Sequence, residues 1–147
     1  YAQRMKKASR DIVDAAKLNN AEAARKAAGD GWLLVGDAFG FIDPVYSTGV
    51  FLALKSGEFA ADAIHEAFEK NDFSAEQLGC WQGKYVEGLE LFRKLVYAFY
   101  TPGFSFGRFL KQHPRFRANL VDMLIGDVFK PGVGEMFDVM GDVVPPL

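Results

Sequence analysis

The chain has 147 residues, half of them hydrophobic, and 17 Lys and Arg against 19 Asp and Glu give it a formal net charge of −2. That apolar content suffices for one core-bearing domain, no run of 18 or more apolar residues suggests a membrane span, and slight acidity without a recognised motif argues against a nucleic-acid binder. A single cysteine, Cys80, excludes an internal disulfide and, with no recognisable signal peptide, leads us to expect a reducing, cytoplasmic setting. The 14 Phe are many for this length, and imply either a large aromatic core or a wall that faces a ring-shaped ligand.

In chain order, Ala2 to Ala28 is rich in Ala, Lys, Arg and Glu, which predicts helix with a break at Asn19-Asn20; Gly29-Asp30-Gly31 closes the region. Trp32 to Val35 is a continuous apolar run between glycines, the pattern of a short strand buried on both faces. Gly36-Asp37 ends it. A carboxylate just past a buried strand is costly unless hydrogen-bonded, and a sugar-like hydroxyl is a natural partner for Asp37. Asp43 is either a turn former or a ligand-facing group, and Pro44 stiffens the turn. Ser47-Thr48-Gly49 then opens a helix whose unpaired N–H groups and positive dipole end favour an electron-rich or anionic group.

That helix is predicted over Gly49 to Lys70, ending at Asn71. Ala53, Gly57 and Ala61 recur every four residues as a small stripe for tight packing, and Phe51, Leu54, Ala60, Ile64 and Phe68 broaden the expected buried face. Asp72 or Ser74 caps the next helix, with Gln77 placed as in a capping box. Leu78, Trp81, Tyr85, Leu89, Phe92, Val96 and Phe99 keep helical spacing as far as Tyr100, although Gly79, Gly83 and Gly88 interrupt it. Thr101-Pro102-Gly103 stops that helix; shorter ones follow at about 104–112, 116–129 and 134–140, before the tail Pro145-Pro146-Leu147. The expected fold is mainly α, in segments 1–30, 31–70 and 71–147 of one structural unit. Its one short strand would need sheet partners from outside the chain.

Arg93, Lys94, Arg108, Lys111, Arg115 and Arg117 lie in an acid-free stretch from Leu91 to Val121, but they alternate with Phe and Leu at helical spacing, as on a solvated helix face. His65 and His113 lack partners at metal-ligand spacing, and Ser47, Ser56, Ser74 and Ser105 lack a histidine partner for acyl transfer. Cys80 reads as a partly buried structural thiol. No metal site is expected.

The stretch GDAFGFIDPVYSTGVFLALKSGEFAADAI resembles the second FAD-binding motif of the flavin-dependent monooxygenase superfamily, and DPVYSTGV within it is most similar to flavin-dependent halogenases and their halogenase-like relatives. The likeness continues through LFRKLVYAFYTPGF and LVDMLIGDVF, covering residues 31 to 130. It implies an α/β FAD-binding fold of which this chain is the C-terminal portion, with FAD as cofactor. Asp37 would accept a hydrogen bond from the ribityl chain, Gly36 would allow close backbone approach, and Pro44 would lie beside the isoalloxazine ring. Thr48, Gly49 and Val50 would offer backbone N–H groups to the flavin, and Thr48 and Gly49 would also hold chloride. The small stripe would then serve flavin access.

Reaction of reduced FAD with oxygen would lead to hydroxylation or halogenation of a small aromatic or apolar substrate. Phe51 stands where several halogenases of the phenol and pyrrole type carry His, which speaks against that subgroup. The G-x-G-x-x-G fingerprint, the tryptophan-rich motif and the halogen-transferring lysine of such enzymes have no counterpart here, so they are expected in an N-terminal FAD domain upstream. The segment alone is expected to be inactive. Two rivals stay open: a geranylgeranyl-reductase-like flavoprotein acting on isoprenoid chains, and, for the chain by itself, a non-catalytic helical module that forms homo-oligomers.

Overall fold

A computed structural model of the chain describes residues 26–41 and 47–141. The expected helices before residue 26, Asp43 and Pro44, and the tail Pro145-Pro146-Leu147 lie outside the described residues.

Ala28–Gly29 (β1) and Trp32–Leu33 (β2) pair antiparallel, Ala28 opposite Leu33 and Gly29 opposite Trp32. Gly31, at φ +80°, folds the chain back, and the Trp32 indole occupies the space that a side chain at Gly29 would need. The ladder partner expected from outside is therefore supplied two residues upstream, and the helix expected as far as Ala28 gives way to extended backbone. β2 is also shorter and drier on one side only: Trp32 and Leu33 are half-buried, Leu34 is buried and Val35 exposed. The Leu34 N–H donates to the Ala27 carbonyl (2.7 Å) and the Gly31 N–H to that of Phe73 (2.9 Å).

Gly49–Lys70 (α1) has the bounds that its sequence predicts. Asn71 at φ 51° terminates it, with the Asp72 N–H donating to the Ala67 carbonyl (3.0 Å), as in a Schellman motif. Its buried face is Leu52, Ser56, Ala60, Ala63 and Ala67, not the stripe expected. Gly57 has open space where a side chain would be, Ala61 is exposed, and Val50, Leu54 and Phe68 are 74%, 70% and 69% exposed. Helical periodicity locates apolar faces but does not say which face meets a neighbour.

The helix expected from Ser74 to Tyr100 is two helices, Ala75–Leu78 (α2) and Gln82–Tyr100 (α3). The Ser74 Oγ accepts from the Gln77 N–H (3.3 Å), but the Gln77 side chain turns instead to Lys70 and the Ala63 carbonyl, leaving half of the capping box. The chain breaks at Gly79, whose amide closes α2 on the carbonyls of Ala75 and Gln77. From Leu78 to Val96 the periodic residues named above are buried, whereas Phe99 is exposed.

The described residues form two compact units, 26–41 with 49–85 and 47–48 with 86–141, the division falling within α3. In the first, Phe39, Trp81 and Tyr85 form a cluster of rings with centroids 5.4 to 5.6 Å apart, and Ala28, Ala67 and Leu78 pack beside Leu33. In the second, α3 continues to Tyr100 and is followed by Phe106–Gln112 (α4), a 3-10 turn Pro114–Phe116, Arg117–Leu124 (α5) and Glu135–Met140 (α6). Phe109 stacks on Phe116 at 5.9 Å. α5 stops five residues short of its predicted end because the chain turns at Gly126, φ +92°. Among the described residues the fold is mainly α, with one small sheet.

Candidate functional site

β2 leads through Leu34 and Val35 into a 3-10 turn, Gly36–Ala38. Val35 at its N-cap has no side chain that accepts a hydrogen bond, so the first amide of the turn must find an acceptor elsewhere. It finds Ser56: the Gly36 N–H donates to the Ser56 Oγ at 2.8 Å, and that hydroxyl donates to the Ala53 carbonyl at 2.7 Å. Gly36 is at φ +57°, and a Cβ there would stand 3.3 Å from the Cβ of Ala53. Glycine is needed for both the dihedral and the approach. On the other side of the turn, Phe39 is anchored in the ring cluster, and its N–H returns to the Gly36 carbonyl (3.0 Å).

These anchors hold Asp37 outward. Its carboxylate is exposed and, among the described residues, accepts no hydrogen bond. Ala53 is four residues into α1, so the Gly-Asp turn sits about 6 Å along the helix axis from Gly49. The first turn of α1 carries no acid, and Gly49 and Val50 are exposed, so its positive end is not neutralised from within. Thr48, just before, is buried, and Ser47 adopts φ 55°, a left-handed backbone uncommon for a non-glycine residue. Gly36, Asp37, Gly49 and Val50 are thus brought to one end of α1.

Sequence reasoning missed Ser56 and Tyr85 here. The Tyr85 hydroxyl donates to the Leu52 carbonyl at 2.9 Å. Burial pushes its phenol up to about 12; a hydrogen bond with Ser56 opposes the rise and the charge of Asp37 adds to it. Both residues were legible as members of helical faces; the one available signal was a serine standing among Leu52, Ala60 and Ala63 on an otherwise apolar stripe. Cys80, expected to be partly buried, is exposed because it lies in the break between α2 and α3. His65 is exposed and faces Glu69 at 3.5 Å. In the second unit a groove of about 450 Å³ is lined by Arg115, Phe116, Asn119, Glu135, Asp138 and Val139, none of them a motif residue.

The glycine-aspartate turn is thus seated against a helix whose first turn is free of acid. Residues 4–104 match the tryptophan halogenase family model, and the chain belongs to that family, the halogenase-like flavin enzymes that its motifs resemble. It is 32% identical over 120 residues, 82% of the chain and 26% of the relative, to a 1H-pyrrole-2-carbonyl-[peptidyl-carrier protein] chlorinase of Pseudomonas fluorescens. It is 36% identical over 101 residues, 69% of the chain and 24% of the relative, to the corresponding brominase of Pseudoalteromonas luteoviolacea. A digeranylgeranylglycerophospholipid reductase of Thermoplasma volcanium is 42% identical over 52 residues, 35% of the chain and 13% of the relative. The chain spans about a quarter of the length of the two halogenases. Both of those relatives are named for pyrrole substrates. Among the described residues, no helix is long and apolar enough to cross a membrane.

Proposed function

We propose that this chain is the part of a flavin-dependent, halogenase-like oxidoreductase that orients FAD, with the Gly36-Asp37 turn and the start of α1 as its cofactor-binding elements. The observation that carries this reading is the seating of Gly36 on Ser56 and Ala53, which leaves an exposed carboxylate without a partner among the described residues, beside an acid-free helix end. An exposed Asp37 suits a ribityl hydroxyl donor. The amides of Thr48, Gly49 and Val50, with Pro44, would border the ring, and positive dipole there suits the negative charge that a reduced flavin carries. Thr48 and Gly49 are the proposed chloride contacts. When bound, FAD supplies the redox chemistry with oxygen; the residues of this chain bind and orient it.

The substrate class proposed is a small aromatic or apolar molecule, the pyrrole of the relatives' names being one instance. Residues 31–70 would carry the cofactor motif and 71–147 the flanking helical region. The segment by itself is expected to be inactive, and an exposed thiol at Cys80 suits a reducing cytoplasm. The test uses the protein expressed from its complete gene. Asp37→Ala should release FAD on purification, and unchanged retention and flavin spectrum would remove Asp37 from the site. Chloride-dependent turnover separates halogenation from the reductase reading.

A second reading, for the chain alone, is homo-oligomerisation through α1, on which Val50, Leu54 and Phe68 are exposed at helical spacing. A flavin-free dimer by sedimentation that Leu54→Glu dissolves would support it; a monomer at all concentrations would end it.

A further inference from the structure

The Gly-Asp turn has no capping side chain of its own, yet its leading amide is bonded. Its acceptor, Ser56, lies 20 residues on, and is fully buried. A serine hydroxyl has one hydrogen and two lone pairs. The hydrogen is committed to the Ala53 carbonyl, one turn back on α1, which directs a lone pair towards the Gly36 N–H. The Tyr85 phenol, whose own hydrogen goes to the Leu52 carbonyl, lies beside Ser56. Ser56 is therefore fixed by its bond to the Ala53 carbonyl and by full burial before it meets the turn. One peptide unit separates that clamped amide from the Cα of Asp37.

We propose that Ser56 is a positioning residue for the cofactor site, fixing the direction of the Asp37 carboxylate through the Gly36 amide. The role rests on the flavin reading above and adds to it a residue that has no contact with the flavin. Without the hydroxyl, the half-buried Gly36 N–H lacks an acceptor, and the turn can rotate to satisfy it in water. Asp37 then samples directions other than the productive one. Removing a fixed hydrogen-bonding geometry of this kind corresponds to about a tenfold loss of affinity, or about 1.4 kcal/mol.

The experiment is a double-mutant cycle on the protein expressed from its complete gene, stripped of flavin and titrated with FAD by fluorescence quenching. Ser56→Ala should raise the FAD dissociation constant about tenfold, and Ser56→Thr, which keeps the hydroxyl, should restore most of the affinity. In an Asp37→Ala background, Ser56→Ala should cost nothing further, because the residue acts through Asp37. An equal loss in both backgrounds, or no loss in either, overturns the positioning role. If Asp37→Ala weakens binding while Ser56→Ala does not, the flavin reading stands and this inference alone fails. If Asp37→Ala has no effect, both fall. Should Ser56→Ala not fold, Ser56→Cys, with its weaker acceptor, should show an intermediate loss; full affinity in that variant overturns the proposal equally.

Discussion

Two glycines near the site should respond oppositely to the same substitution. Gly36 is at φ +57° with the Ala53 Cβ 3.3 Å from where its own would stand; Gly57, in the middle of α1, has nothing within 4 Å. Gly36→Ala places an L-residue in the left-handed region, at a cost of about 1–2 kcal/mol. It also asks Ala53 to move by a few tenths of an ångström. Restricting the unfolded chain recovers about 0.4–1 kcal/mol, so the net is a loss of about 1 kcal/mol. Gly57→Ala meets no clash and improves helix propensity, a gain of about 0.5–1 kcal/mol. With about 3 °C per kcal/mol for a chain near this size, melting followed by far-UV circular dichroism should fall by about 3 °C for the first variant and rise by about 2 °C for the second. A higher melting temperature for Gly36→Ala would refute the left-handed turn, and with it the close docking of the Gly-Asp motif on α1.

Other consequences follow from burial and contact. Tyr85, held up at about 12 mainly by burial, should ionise last in an alkaline absorbance titration. Its unfolded counterpart loses the proton near pH 10, so the folded state binds more protons between about 10 and 12 and stability should fall as pH rises through that window; Tyr85→Phe should flatten the decline. Gly88→Ala drives a Cβ into the Phe129 ring, and overpacking of about 1–3 kcal/mol outweighs the helix gain, lowering the urea midpoint unless Phe129→Leu is made with it. Cys80, exposed and free, should react with an aromatic disulfide reagent in native buffer without a lag; protection until denaturant is added would contradict its placement.

Features set by neighbours a few residues apart were readable in the chain. α1 runs from Gly49 to Lys70 as its apolar period and Asn71 indicate, because capping and termination depend on one or two turns of backbone. Thr101-Pro102-Gly103 punctuates the end of α3 for the same reason. The match to the tryptophan halogenase family likewise follows from a contiguous stretch of residues. Pairing, facing and continuity were less readable. Periodicity allowed one helix from Ser74 to Tyr100, but the close of α2 at Gly79 broke it. The same periodicity marked Ala53, Gly57 and Ala61 as a packing stripe, while the molecule buries the row offset by one residue.

The residues alone determined where α1 starts and stops and which motif the chain carries, since both are written in local chemistry. Only the folded chain decided that β2 would pair with Ala28–Gly29, that Ser56 would receive the Gly36 amide, and that Leu54 and Phe68 would face outward. Each of those outcomes joins groups that are distant in sequence or depends on what covers a surface, and hydrogen-bond satisfaction and apolar burial are properties of the assembled neighbours.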